Sequence, residues 1–125
     1  SGNAPYGGEG GRAYAHRLAM KSDSAVYRDL YLAALLLDKD LDAFVKETVE
    51  QAKTGTLHPA HYQEAWMLYN ELHPDSPVAF TADSAIVSRF VAYRELQSEH
   101  KDNAIVAENL CHRKFGKTFW CYYDY

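Results

Sequence analysis

Glycine is scarce once the first eleven residues are passed. Five of the seven glycines fall within residues 1–11, leaving Gly55 and Gly116 for the rest of the chain. The glycine cluster GGEGG follows no strand pattern, which excludes a phosphate-binding loop. Long apolar runs are missing as well. The longest, Leu30 to Leu37, is far short of the ~18 residues that cross a bilayer, so no direct membrane insertion is expected. Basic clusters are absent apart from Arg113, Lys114 and Lys117, which end a predicted helix where cations complement its dipole. With a net charge of −4 and a pI near 5.8, nucleic acid is excluded as a partner, because phosphate needs a basic face. Cysteine is limited to Cys111 and Cys121, too few for a disulfide framework. Reduced, partly buried thiols are the preferred reading, with a bridge as the alternative.

What remains is the composition of a folded domain: 47% hydrophobic, 24% charged and 14% aromatic residues, ten of them tyrosines. A chain of 125 residues can bury a core without metals or disulfides. Residues 1–11 read as a flexible leader, and the opening Ser1-Gly2-Asn3-Ala4 as a tag remnant. Residues 12–125 are expected to form a single α-helical domain.

Hydrophobic periodicity divides that domain into helices. A short one runs from Arg12 to about Lys21, and Ser22-Asp23-Ser24 supplies the next N-cap. Ala25 to Asp38 carries YLAALLL, apolar on every side, and is expected to be the central helix. Asp38-Lys39-Asp40 makes a tight turn, with Asp40 as the following cap. Leu41, Phe44, Val45, Thr48, Val49 and Ala52 form one helical stripe, closed by Lys53 and Gly55. Proline at position 59 opens a helix whose buried stripe is Tyr62, Ala65, Trp66, Tyr69 and Leu72. His73 to Phe80 is a loop. Thr81 or Asp83 caps the next helix, with Ile86, Phe90, Tyr93 and Leu96 or Gln97 facing inward. Asp102 caps a helix to about Phe115, with Val106, Ala107 and Leu110 inward and Gly116 at C′. The aromatic tail, Thr118 to Tyr125, is either a short packed helix or an extended segment.

Tyr27-Arg28-Asp29-Leu30-Tyr31-Leu32 aligns with Tyr62-Gln63-Glu64-Ala65-Trp66-Met67 at an offset of 35 residues. The period is close to that of tetratricopeptide repeats. The fold expected is all-α: antiparallel helical hairpins in a tetratricopeptide-like superhelix fragment of about five to six helices. Beyond the period, LLLDKDLDAFV (35–45), HYQEAWMLY (61–69) and GKTFWCYYDY (116–125) carry a more specific resemblance. Over residues 25–125 the chain resembles the C-terminal region of an uncharacterised Bacteroidetes family, in which tetratricopeptide-like helices follow membrane-spanning segments. The resemblance implies a fold and a membrane-anchored parent of which this is the soluble part. It implies no activity and no catalytic residue.

Candidate chemistry is thin. Asp38, Asp40 and Asp42 mimic the start of a calcium loop, but Ala43 and Val49 stand where such a loop needs glycine and glutamate. Capping accounts for them better. His58 and His61 share a helix start, and Cys111, His112 and Cys121 lie near one another in sequence, yet neither group has the spacing of a structural zinc site. No catalytic residue, cofactor or metal site is therefore expected, and the chain reads as a non-enzyme. The favoured function is an interaction or scaffold module for a protein or peptide partner, with Tyr62, Tyr69 and Trp120 as candidate binding residues. The alternative is a small metal-binding domain or metal-dependent enzyme using His58, His61 and His112.

Overall fold

A computed structural model describes residues 11–17 and 25–125. The leader up to residue 10, the far half of the first helix and the Ser22-Asp23-Ser24 cap lie outside the described residues. Among the described residues every regular element is a helix, seven in number, one more than the upper expectation. They are α1 (residues 11–17), α2 (Ala25–Leu37), α3 (Leu41–Ala52), α4 (Ala60–Leu72), α5 (Ser84–Glu99), α6 (Ala104–Phe115) and α7 (Phe119–Asp124). None of the described helices is long and apolar enough to cross a membrane. The chain falls into two compact units, Ser1–Thr48 and Val49–Tyr125, with the division inside α3.

In the first unit, α2 and α3 form an antiparallel hairpin. The α2 chain end is closed by Asp40 N–H donating to Leu35 O and Lys39 N–H to Leu36 O, both 3.0 Å. That bond pair leaves Lys39 in the left-handed region at φ 58°, the conformation such a helix end requires. Asp40 then accepts from Ala43 N–H at 3.0 Å, as its capping role demands, and pairs with Arg12 at 2.5 Å. Arg28, early in α2, donates to the carbonyl of Glu47, late in α3, at 2.7 Å, so the helices run in opposite directions. Of the expected α3 stripe, Leu41, Phe44, Val45, Thr48 and Ala52 are buried and Val49 is half-buried.

In the second unit the most enclosed element is α4, which is buried without a break from Tyr62 to Leu68. This corrects the choice of α2 as the central helix, since α2 buries one side only and leaves Leu37 61% exposed. Polar residues hide the burial of α4 in the sequence. Gln63 donates to His58 O at 2.9 Å and accepts from Asp83 N–H at 2.8 Å, so both ends of its buried amide are satisfied. At the far end, Leu72 is 52% exposed rather than core.

The α4–α5 loop is anchored by Asn70, whose amide exchanges hydrogen bonds with the N–H and carbonyl of buried Val78. Asp83 caps α5 through Ala85 N–H, resolving the choice against Thr81. Asn103, not Asp102, caps α6 through Val106 N–H. The α6 end differs from expectation. Gly116 has an ordinary right-handed conformation, and its lack of a side chain is needed because a Cβ would run into the His112 carbonyl. Thr118 caps α7, so the aromatic tail is helical, with Phe119, Trp120 and Cys121 buried.

Candidate functional site

Three places in the second unit concentrate polar or accessible chemistry. The first is the joint between α4 and α7. Glu64 is buried, and its Oε1 accepts from Phe119 N–H at 2.9 Å. The Glu64 carbonyl accepts from the Trp120 indole N–H, also at 2.9 Å. Burial pushes the Glu64 carboxyl above its ordinary range, against the opposing pull of the Phe119 N–H and the Arg89 charge. The chemistry here is that of a staple, because both bonds run to helix α7 rather than into open space.

The second is a polar network around Tyr93. Its hydroxyl donates to Asp124 Oδ2 at 2.5 Å, and Gln97 donates to both groups. Arg94 adds an ion pair with Asp124 at 3.3 Å and a contact with Glu71 at 3.1 Å. Burial, then the hydrogen bond and charge of Asp124, push the Tyr93 hydroxyl up. For Arg94, burial opposes the charge, but Glu71 and Asp124 outweigh it and raise its affinity for the proton. Through its bonds to the Trp120 carbonyl and to Asp124, the Tyr93 hydroxyl ties α5 to α7.

The third is open to a ligand. Helices α5 and α6 form an antiparallel hairpin with a cleft of about 190 Å³ lined by Glu95, Leu96, Glu99, Leu110, Lys114 and Phe115, among others. On α5, Val87, Val91, Glu95 and Glu99 recur every fourth residue and so make one ridge. Val87 is 41% and Val91 53% exposed, and both glutamates are exposed. The ridge is thus apolar in its first half and acidic in its second, where it borders the cleft.

The expected binding residues are distributed differently. Tyr62 and Trp120 are buried, at 4% and 0% exposure, and serve the aromatic core with Trp66, Phe90 and Tyr93. Tyr69 is half-buried and stacked on His73. No signal for the α5 ridge stood out in the sequence, because its valines looked like any other apolar positions beside the inward stripe of Tyr93 and Leu96.

The metal-centred alternative finds no ligand set. Among the described residues no three His, Cys, Asp or Glu side chains are placed to hold an ion. His58 lies edge-on to Trp66 and shares a hydrogen bond with Thr54, while His61 lies edge-on to Tyr62. His112 faces Cys121 on α7 and Glu108 one turn earlier on its own helix, α6. The two cysteines are paired with each other as a disulfide, their Cα atoms 6.0 Å apart, which corrects the preference for reduced thiols.

Among the described residues, the molecule defined by these features is all-helical. The chain belongs to a family of unknown function (DUF6057), which matches residues 14–125. No curated protein and no solved structure matches it.

Proposed function

We propose that this chain is a helical interaction module that takes a protein or peptide partner on the outer ridge of α5. One observation carries the reading: Val87 and Val91 are solvent-exposed on the ridge that continues into Glu95 and Glu99. Apolar side chains repeated one turn apart favour a partner helix that lays its own apolar stripe alongside. The two carboxylates favour Lys or Arg on the partner's next turns, and such rim charges govern encounter and register more than affinity.

The tetratricopeptide-like reading belongs to the same proposal. Support comes from α2 and α4, both 13 residues long and starting 35 residues apart at Ala25 and Ala60. Tyr31 and Trp66 stand at the same step of the two helices and both are buried. The membrane-anchored parent is supported only by the resemblance over residues 25–125, and in this reading the module hangs from that parent.

The test is site-specific photocrosslinking in the source cells. A crosslinking residue replaces Val91, and a control replaces the exposed Asn109 on α6. A discrete product from position 91 that disappears in a Val87→Lys/Glu95→Lys background is expected. Identical products from positions 91 and 109 would remove α5 as the contact surface.

A further inference from the structure

The disulfide joining α6 to α7 has a companion that a purely structural crosslink does not need. His112 Nδ1 lies 3.5 Å from Cys121 Sγ, and His112 Nε2 lies 3.8 Å from Glu108 Oε1. The result is a carboxylate–imidazole–sulfur line along one side of α6. Both cysteines are buried, at 0% and 1% exposure, whereas the His112 side chain is 55% exposed and that of Glu108 47%. The imidazole therefore connects bulk solvent to a sulfur that solvent does not reach. Each part has a known use in thiol chemistry: a proton donor speeds departure of a thiolate, and a carboxylate orients the ring that donates.

We propose that Cys111–Cys121 is a redox-active disulfide, opened by a dithiol reductant, with His112 as the acid that serves Cys121. A thiolate of the reductant attacks Cys111 Sγ and forms a mixed disulfide. The Cys111–Cys121 bond breaks, its electron pair leaves on Cys121 Sγ, and that sulfur takes the proton from His112 Nδ1. His112 is reprotonated by water. The second thiol of the reductant then displaces Cys111 as a thiol. In sum the dithiol is oxidised to its disulfide and the protein gains two thiols and two hydrogens. Access requires transient opening of α7, the six-residue helix that carries Cys121. Reduction removes the covalent tie on α7 and leaves it held by Glu64 and Tyr93. This inference does not rest on the α5 ridge.

The experiment uses the whole chain, dithiothreitol as reductant and thiol counting by alkylation and mass spectrometry. Air-oxidised protein is expected to carry no free thiol. Its reduction is expected to slow about tenfold in His112→Asn, with the equilibrium constant against dithiothreitol and the melting temperature unchanged. A merely structural histidine would alter stability and equilibrium, not the rate alone. If His112→Asn lowers the melting temperature, Glu108→Gln provides the same comparison with the imidazole in place. Two free thiols after air oxidation would overturn the proposal. So would equal reduction rates in the wild type and in whichever variant keeps its melting temperature.

Discussion

Glu64 shows how much one residue can decide at this scale. Its carboxyl is buried yet useful, because Oε1 satisfies the first N–H of α7. Removing the acceptor in Glu64→Ala strands that N–H and is expected to cost about 1–3 kcal/mol, measured by urea denaturation. Glu64→Gln keeps an acceptor oxygen and removes the buried charge, so its stability at neutral pH is expected to equal or exceed wild type. The pH dependence has a definite sign. Burial raises the carboxyl's folded-state pKa above the unfolded value, so the folded state binds the proton first as pH falls. The ionised group is destabilising at pH above the folded pKa, and that penalty fades through the window down to the unfolded pKa. The gap between Gln variant and wild type should therefore narrow as pH drops towards the ordinary glutamate range. A gap that widens on acidification would reverse the assignment.

At the level of elements, the α2–α3 turn carries the clearest prediction. Lys39 occupies a left-handed conformation that costs a side-chain-bearing residue about 1–2 kcal/mol relative to the right-handed one. Lys39→Gly is expected to raise stability by about 0.5–1 kcal/mol, the glycine's greater unfolded-state freedom taking back part of the relief. A lower urea midpoint would mean that contacts of the lysine outweigh the strain. The same turn was legible in the sequence, because caps and periodic stripes are local signals. Asp40 and the α3 stripe followed from residue type and spacing alone. The burial of α4 was not legible, since Gln63 and Glu64 break the apolar pattern and only their distant partners Asp83 and Phe119 make them core residues. The burial of Tyr62 and Trp120 was hidden for a related reason. Both are amphipathic aromatics, and nothing local says whether such a ring packs inward or faces a ligand. Val87 and Val91 lie outside the inward stripe of Ile86, Phe90, Tyr93 and Leu96, and residue type alone does not mark two exposed valines as a ridge.

For the molecule as a whole, the division between units at Thr48 and Val49 raises the question of whether they unfold separately. The division falls within α3, which runs from Leu41 to Ala52. Residues 49–52 donate their helical N–H groups to carbonyls four residues earlier, on the other side of the division. Melting either half of α3 therefore strips hydrogen bonds from the other, and this ties the two transitions together. The tryptophans provide a selective probe, since Trp66 and Trp120 both lie in the second unit and both are fully buried. Far-UV circular dichroism, in contrast, sums over the helices of both units. Urea titrations followed by tryptophan fluorescence and by circular dichroism are expected to share one midpoint and one slope. A helical signal that falls before the fluorescence changes would show that the first unit opens on its own, and that four residues of shared helix are too few to couple it to the second.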